Sequence, residues 1–274
     1  MNETRRQKTH KGYLHPQIFE GKVALITGAA SGIGFEILRY FVEYGAQAIA
    51  VDLNKALIEQ RISELVQKEC MARFLVGNVT DEEVHKKAVE LALKEFGGLD
   101  FAVNNAGISP APKALHKYSS SEFKEVLDVN LNGSFLGMRH QIPAMLKKSR
   151  AKEGKGVIVN IASVAGLKGV RGKGPYSAAK AAVMSMTQTA ALDYADKGIQ
   201  VFCIAPSLVD TPMLEREFEF APHIKQLLPM IQPLGGGRIL RPNEVAAVVG
   251  FLCSGAGSAM TGTIIPVDGG CMAG

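Results

Sequence analysis

The chain predicts an α/β fold of the doubly wound kind, a seven-stranded parallel sheet with helices on both faces. Three observations point there. Short, nearly continuous apolar runs rich in β-branched residues recur seven times, as strands buried on both faces do. Stretches of helical length lie between them, so the connections are right-handed crossovers. The 274 residues, 47% hydrophobic and 21% charged, suffice for one substantial core and are far from the composition of disordered chains.

The elements follow in order. The first strand is K-V-A-L-I-T-G from Lys22, and the helix after it reads G-I-G-F-E-I-L-R-Y-F-V-E-Y from Gly32. A-Q-A-I-A-V-D from Ala46 and A-R-F-L-V-G-N-V from Ala72 are the second and third strands. D-E-E-V-H-K-K-A-V-E-L-A-L-K-E-F from Asp81 is the next helix, leading to the fourth strand, L-D-F-A-V-N-N-A-G from Leu99. G-V-I-V-N-I-A-S from Gly156, I-Q-V-F-C-I-A-P from Ile199 and T-G-T-I-I-P-V-D from Thr261 complete the sheet. Before the sixth strand, Pro175 stands in the first turn of an alanine-rich helix. One stretch breaks the rhythm: residues 211–240 are too long for an ordinary connection and carry three consecutive glycines, and long insertions of this kind are often active-site lids.

Charge and cysteine content exclude several functions. Of the formal net charge of +5, Arg5, Arg6, Lys8 and Lys11 against Glu3 carry +3, so the body is nearly neutral and a nucleic-acid partner has little beneath it. Residues 1–18 read as a basic, disordered tail without the apolar core of a secretory signal; residues 19–274 read as a single catalytic domain. No run approaches the roughly 18 apolar residues of a membrane span. Cys70, Cys203, Cys253 and Cys271 are scattered, with no metal-binding spacing, which favours reduced thiols, the cytoplasm and no metal site.

The first strand runs into T-G-A-A-S-G-I-G, with Gly28, Gly32 and Gly34. Glycine permits a sharp strand-to-helix turn and leaves backbone amides open to a phosphate, and the helix N-terminus favours negative charge. A tight turn without a ligand would use the same residues. Asp52 sharpens the reading: it ends the second strand, where an acidic side chain accepts hydrogen bonds from the adenine ribose hydroxyls. A carboxylate there repels a 2′-phosphate and Leu53 offers no cation, so NAD is preferred over NADP; capping of the next helix is the structural alternative.

Tyr176 and Lys180 stand four apart on that alanine-rich helix and therefore share a face. Alone, such a pair is more often a packed aromatic and a solvated charge. With T-G-A-A-S-G-I-G, N-N-A-G at 104–107, Asn130, Ser163 and Tyr176/Lys180 in this order, the chain resembles the short-chain dehydrogenase/reductase family over about residues 19–270. The resemblance implies a single Rossmann-like domain, a nicotinamide cofactor, an alcohol or ketone substrate, and a homo-oligomer, tetramer or dimer. It makes Tyr176 the acid/base, Lys180 its activator, Ser163 the residue that orients the substrate oxygen, and Asn130 part of a proton relay. A lysine ammonium one turn away stabilises a phenolate, and a serine hydroxyl stabilises charge growing on a carbonyl oxygen.

The same resemblance assigns cofactor contacts to Gly28, Ser31, Gly32, Ile33, Gly34, Asp52, Leu53, Asn78, Val79, Asn105, Ala106, Gly107, Tyr176, Lys180, Pro206, Val209 and Thr211. It reads Asp268-Gly269-Gly270 as a structural motif near an oligomer interface. Two positions depart from the family pattern. Asn78 replaces the usual aspartate beside the adenine, and its amide oxygen still accepts. Ser207 replaces a glycine after Pro206, which would be strained if that position needs a positive φ.

The 211–240 segment supplies Met213, Leu214, Phe218, Phe220, Ile224, Leu227, Leu228, Met230 and Ile231, an apolar set that suits a hydrophobic substrate, the core or a neighbouring subunit. The function read from the residues is an NAD-linked dehydrogenase of a cyclic or mostly apolar secondary alcohol. A 3-oxoacyl-thioester reductase is the rival within the family, with Lys147, Lys148, Arg150 and Lys152 facing an acidic carrier protein. A non-catalytic NAD(H) sensor or scaffold is the rival outside it.

Overall fold

The computed structural model describes residues 17–66, 71–147 and 156–273. Nearly all of the basic tail, Cys70, and the Lys148, Arg150 and Lys152 cluster lie outside the described residues.

All seven apolar runs form strands: β1 Val23–Thr27, β2 Gln47–Asp52, β3 Ala72–Val76, β4 Phe101–Asn104, β5 Gly156–Ile161, β6 Ile199–Pro206 and β7 Ile264–Val267. They make one sheet in the order β3-β2-β1-β4-β5-β6-β7, every pairing parallel. The order reverses between β1 and β4, which opens a crevice beyond their carboxyl ends.

The helices are α1 Gly32–Glu43, α2 Lys55–Val66, α3 Glu82–Phe96, α4 Ser120–Leu127, α5 Gly133–Leu146, α6 Gly174–Tyr194, α7 Pro212–Phe220, α8 Ile224–Ile231 and α9 Pro242–Cys253. Strand side chains alternate between two cores. Ala24 and Ile26 pack with Ile37 and Phe41 of α1, Ile58 of α2 and Val245 and Val249 of α9. Val23 and Leu25 pack with Val84 and Ala88 of α3, Ile142 and Met145 of α5 and Ala190 of α6. Each such fully buried branched or aromatic side chain contributes about 1.5–3 kcal/mol.

Local signals set the ends. The Asp81 side chain caps α3 by accepting from Glu83 N at 3.0 Å, and Gly97 closes the helix in the left-handed region at φ 77. Between α4 and α5 the chain winds as a π-type turn over Asp128–Asn132, a feature that in helices tends to mark functional positions.

The 211–240 segment folds as α7, α8 and a short 3-10 turn at Leu234–Gly236, and its end pairs with the stretch just before its start through an isolated parallel bridge between Leu240 and Val209. Its apolar residues are not core: of the nine singled out, Leu214 is buried, whereas Phe220, Leu227 and Met230 are exposed, Met230 at 82%.

Candidate active site

The glycine turn after β1 is shaped by contacts that forbid side chains. Gly28 and Gly32 have φ of 65 and 52. A Cβ on Gly34 would stand 2.0 Å from the Gly28 carbonyl oxygen, so α1 must start with glycine there. The side chain of Asn105, just past β4, donates to the carbonyls of Thr27 (3.0 Å) and Gly28 (3.1 Å). In return the Thr27 hydroxyl accepts from the N–H groups of Asn105 (3.1 Å) and Ala106 (3.2 Å). The N-N-A-G segment thus pins the turn at the crevice, while Asn104 is buried in the sheet centre. Ser31, Gly32 and Ile33 remain half-buried at the start of α1.

Asp52 ends β2 beside this turn. Its Oδ2 accepts from Ala30 N at 2.9 Å and its Oδ1 from Asn54 N at 2.8 Å. The carboxylate therefore holds the turn, is half-buried, and keeps lone pairs for a further donor. Leu53 next to it is 68% exposed and brings no positive charge. Beyond β3, Asn78 is exposed and its Oδ1 accepts from Thr80 N at 3.1 Å, leaving one lone pair, while Val79 is buried. The Val79 carbonyl bonds Nε2 of buried His85 at 2.8 Å.

Ser163 follows β5. Its hydroxyl caps the next turn, accepting from Ala165 N at 3.2 Å, and lies 3.4 Å from the Pro206 carbonyl that ends β6. Tyr176 sits in the first turn of α6, half-buried, with the Ser163 hydroxyl near enough to act on its phenol. One turn on, Lys180 is 4% exposed; its Nζ donates to the Ile161 carbonyl at 2.8 Å and lies 5.7 Å from the Tyr176 ring centre. Asn130, in the π-type turn, is fully buried and grips Ile108 twice: its Oδ1 accepts from Ile108 N and its Nδ2 donates to Ile108 O, both at 2.8 Å. Gly107 makes room for this grip, since a Cβ there would lie 2.7 Å from Asn130 Oδ1 and 3.4 Å from Lys180 Nζ.

The charges differ from the sequence expectation in one respect. Burial pushes the Tyr176 phenol up to about 12, the Ser163 hydroxyl pulls it down, and the nearby Glu217 carboxylate pushes it up again. What opposes burial is therefore Ser163 rather than Lys180, whose ammonium faces the Ile161 carbonyl. Burial lowers Lys180 itself to about 8, with Cys203 acting weakly the other way. The protein alone keeps the phenol protonated.

Pro206, Val209 and Thr211 complete the rim. Val209 is buried; Thr211 caps α7, accepting from Leu214 N at 3.3 Å and donating to Val209 O at 3.1 Å. The Thr211 methyl packs on Gly32, where a Cβ would approach it to 2.9 Å, so the rim meets the glycine turn. Ser207 continues the sheet ladder, its N–H donating to Val267 O at 3.2 Å. Asp268 folds the C-terminal turn, accepting from Gly270 N at 3.0 Å and Met272 N at 2.8 Å.

Two groups escaped the sequence reading. Beneath the site, Asn104 exchanges hydrogen bonds with Gln141 and donates to Asn160, which donates to Thr187. Above it, Lys173 and Ser109 meet Glu217 of α7. Their members are far apart in sequence, and no spacing announces them.

A nicotinamide dinucleotide fits this crevice by the cradle of Gly28, Gly32 and Gly34, which any Cβ would fill, and by the carboxylate of Asp52 at the second strand's end. The family described as Enoyl-(Acyl carrier protein) reductase matches residues 28–272. The chain is similar to cyclohexanol dehydrogenase of an Acinetobacter species, 39% identical over 251 residues that cover 92% of this chain and 95% of the relative. It is also similar to 2,5-dichloro-2,5-cyclohexadiene-1,4-diol dehydrogenase of Sphingobium indicum, 38% identical over 91% of this chain and 96% of the relative. The solved structure of a 3-ketoacyl-(acyl-carrier-protein) reductase from Brucella melitensis, complexed with NADH, superposes with a TM-score of 0.82 at 35% identity, covering 92% of this chain and 99% of that one. The chain belongs to the short-chain dehydrogenase/reductase family of nicotinamide-dependent oxidoreductases acting on CH–OH groups.

Proposed function

We propose that the protein interconverts a secondary alcohol and its ketone with NAD, and that the alcohol is cyclic or otherwise mostly apolar. The observation that carries this reading is the meeting of Ser163, Tyr176, Lys180 and Asn130 at one mouth of the crevice, with Asp52 at the other end of it. When bound, the nicotinamide supplies the hydride acceptor or donor. The chain's residues handle the proton. The Ser163 hydroxyl holds the substrate oxygen and stabilises charge developing there. The Tyr176 hydroxyl gives its proton to that oxygen in reduction and takes one in oxidation. Lys180, lowered to about 8, exchanges a proton at Nζ near neutral pH. Asn130 fixes the Ile108 backbone on both sides and so holds the wall of the site.

Asp52 with Leu53 supports NAD, because a 2′-phosphate would meet an anion and no cation. The names of both ring-alcohol dehydrogenase relatives make a ring alcohol the first substrate class to test. We also read the chain as a cytoplasmic homo-oligomer. Buried, unpaired Cys203, Cys253 and Cys271 suit a reducing compartment, and Leu192 on α6, 82% exposed, suits an interface.

Initial rates at 340 nm with cyclohexanol, an acyclic secondary alcohol and a 3-oxoacyl thioester, each with NAD(H) and NADP(H), test the reading. Turnover of cyclohexanol with kcat/KM at least about 10-fold higher for NAD than for NADP is expected. Strong NADPH selectivity with the thioester would favour the acyl reductase, a second reading supported by the likeness to the 3-ketoacyl-(acyl-carrier-protein) reductase structure. Tight NADH binding without turnover of anything would favour the sensor.

A further inference from the structure

An ion pair that the chemistry above does not use stands over the site. Lys173, three residues before Tyr176, is 6% exposed. Its Nζ donates to Glu217 Oε1 at 2.9 Å, to Ser109 Oγ at 2.7 Å and to the Pro110 carbonyl at 3.3 Å. The Ser109 hydroxyl donates to the same Glu217 Oε1 at 2.9 Å. Three elements are joined in this way. Ser109 follows Ile108, whose backbone Asn130 holds on both sides. Lys173 immediately precedes α6, the helix of Tyr176 and Lys180. Glu217 lies midway along α7, the helix that Thr211 caps over the glycine turn.

A buried lysine with a carboxylate is an expensive way to tie down a helix, because desolvation offsets much of the attraction and an apolar contact would serve as well. What the pair adds is geometric definition: directional hydrogen bonds fix one seating of α7, where an apolar contact would fix it less sharply. Glu217 is also near enough for its charge to act on the Tyr176 phenol.

We propose that Lys173, Glu217 and Ser109 form a clasp that holds α7 against the Tyr176 site, and that Lys173 and Glu217 are positioning residues that set how the alcohol is seated. The clasp rests on the reading of Tyr176 as the acid/base of an alcohol dehydrogenase. Its hydrogen bonds run among Ser109, Pro110, Lys173 and Glu217 and not to the Gly28–Gly34 turn or Asp52, so its effect is expected on the substrate rather than on the dinucleotide.

The test compares wild type, Glu217→Gln, Lys173→Met and the double variant. With cyclohexanol and NAD, each single variant is expected to raise the KM for cyclohexanol about 10-fold or more. kcat should change less than about threefold, and the NADH dissociation constant, read by fluorescence titration, less than about twofold. The double variant should match the worse single one, because both changes break one interaction. An unchanged KM overturns the clasp, as does loss of NADH affinity in step with KM, the signature of a general structural defect. Tyr176→Phe is assayed alongside. If wild type turns over no secondary alcohol, or the phenylalanine variant retains turnover, the underlying reading has failed, and the clasp is then decided by amide hydrogen exchange over residues 212–220. Exchange at least about 10-fold faster in Glu217→Ala than in wild type, with α1 unchanged, upholds it; equal rates refute it.

Discussion

Replacing Lys180 by methionine should make the free protein more stable while abolishing turnover. The lysine is buried, its ammonium holds a carbonyl rather than a carboxylate, and burial lowers it from 10.5 to about 8. At about 1.4 kcal/mol per tenfold change in proton affinity, keeping it charged at pH 7 costs about 3 kcal/mol. Methionine, of similar length and apolar, removes that cost but leaves the Ile161 carbonyl without its donor, a loss of about 1 kcal/mol. The net gain of about 2 kcal/mol corresponds to about 4–8 °C in Tm for a domain of this size. The sign with pH follows from the depressed lysine. The unfolded chain holds its proton up to 10.5 and the folded chain only up to about 8, so wild type recovers stability as pH rises through that window. Between pH 7 and 9 the gap between variant and wild type should shrink by about 1.4 kcal/mol. Cys203, which burial raises to about 11, and Tyr176, near 12, contribute alike in both proteins and so cancel from the gap. Scanning calorimetry of both proteins without cofactor at the two pH values measures this. A variant less stable than wild type at pH 7, or a gap that does not change with pH, would refute the reasoning.

Further consequences can be measured. Gly34→Ala places a Cβ 2.0 Å from the Gly28 carbonyl and should cost at least about 3 kcal/mol and abolish NADH binding; ordinary NADH fluorescence titration in that variant would contradict the cradle. Asp52→Ala removes a charged acceptor worth about 1.5–3 kcal/mol to a ribose hydroxyl and should lower the NAD-over-NADP preference in kcat/KM about 10- to 100-fold, with an unchanged ratio speaking against its role. Asn104→Leu leaves Gln141 Nε2 and Asn160 Oδ1 without their partner in a buried network and should destabilise by about 3 kcal/mol in urea titration.

The sheet was legible because burial on both faces writes itself into sequence as unbroken apolar runs; all seven, from Val23–Thr27 to Ile264–Val267, are strands. Gly28, Gly32 and Gly34 were legible because close backbone approach excludes every other residue. Of the four residues expected at the chemistry, Ser163 follows β5, Tyr176 and Lys180 share a face of α6, and Asn130 in the π-type turn lies with Lys180 around Gly107. The clasp was not legible: Ser109, Lys173 and Glu217 are ordinary surface types in sequence, and only the docking of α7 buries them together. The Tyr176 phenol was expected to be lowered by Lys180. Its actual balance depends on depth of burial and on the direction of the lysine's hydrogen bond, neither of which a spacing of four records. Asn78 was legible as a departure, but its use by Thr80 N depended on the turn that follows.

The most direct measurement is single-turnover oxidation of cyclohexanol by NAD at 340 nm with wild type and Tyr176→Phe, alongside NADH binding by fluorescence. The phenylalanine keeps the ring and removes the hydroxyl on which Ser163 acts. A drop of at least about 100-fold in the hydride-transfer rate with NADH affinity unchanged is the predicted result, in the range that general acid/base groups contribute. Equal rates in the two proteins would contradict the assignment of proton transfer to Tyr176.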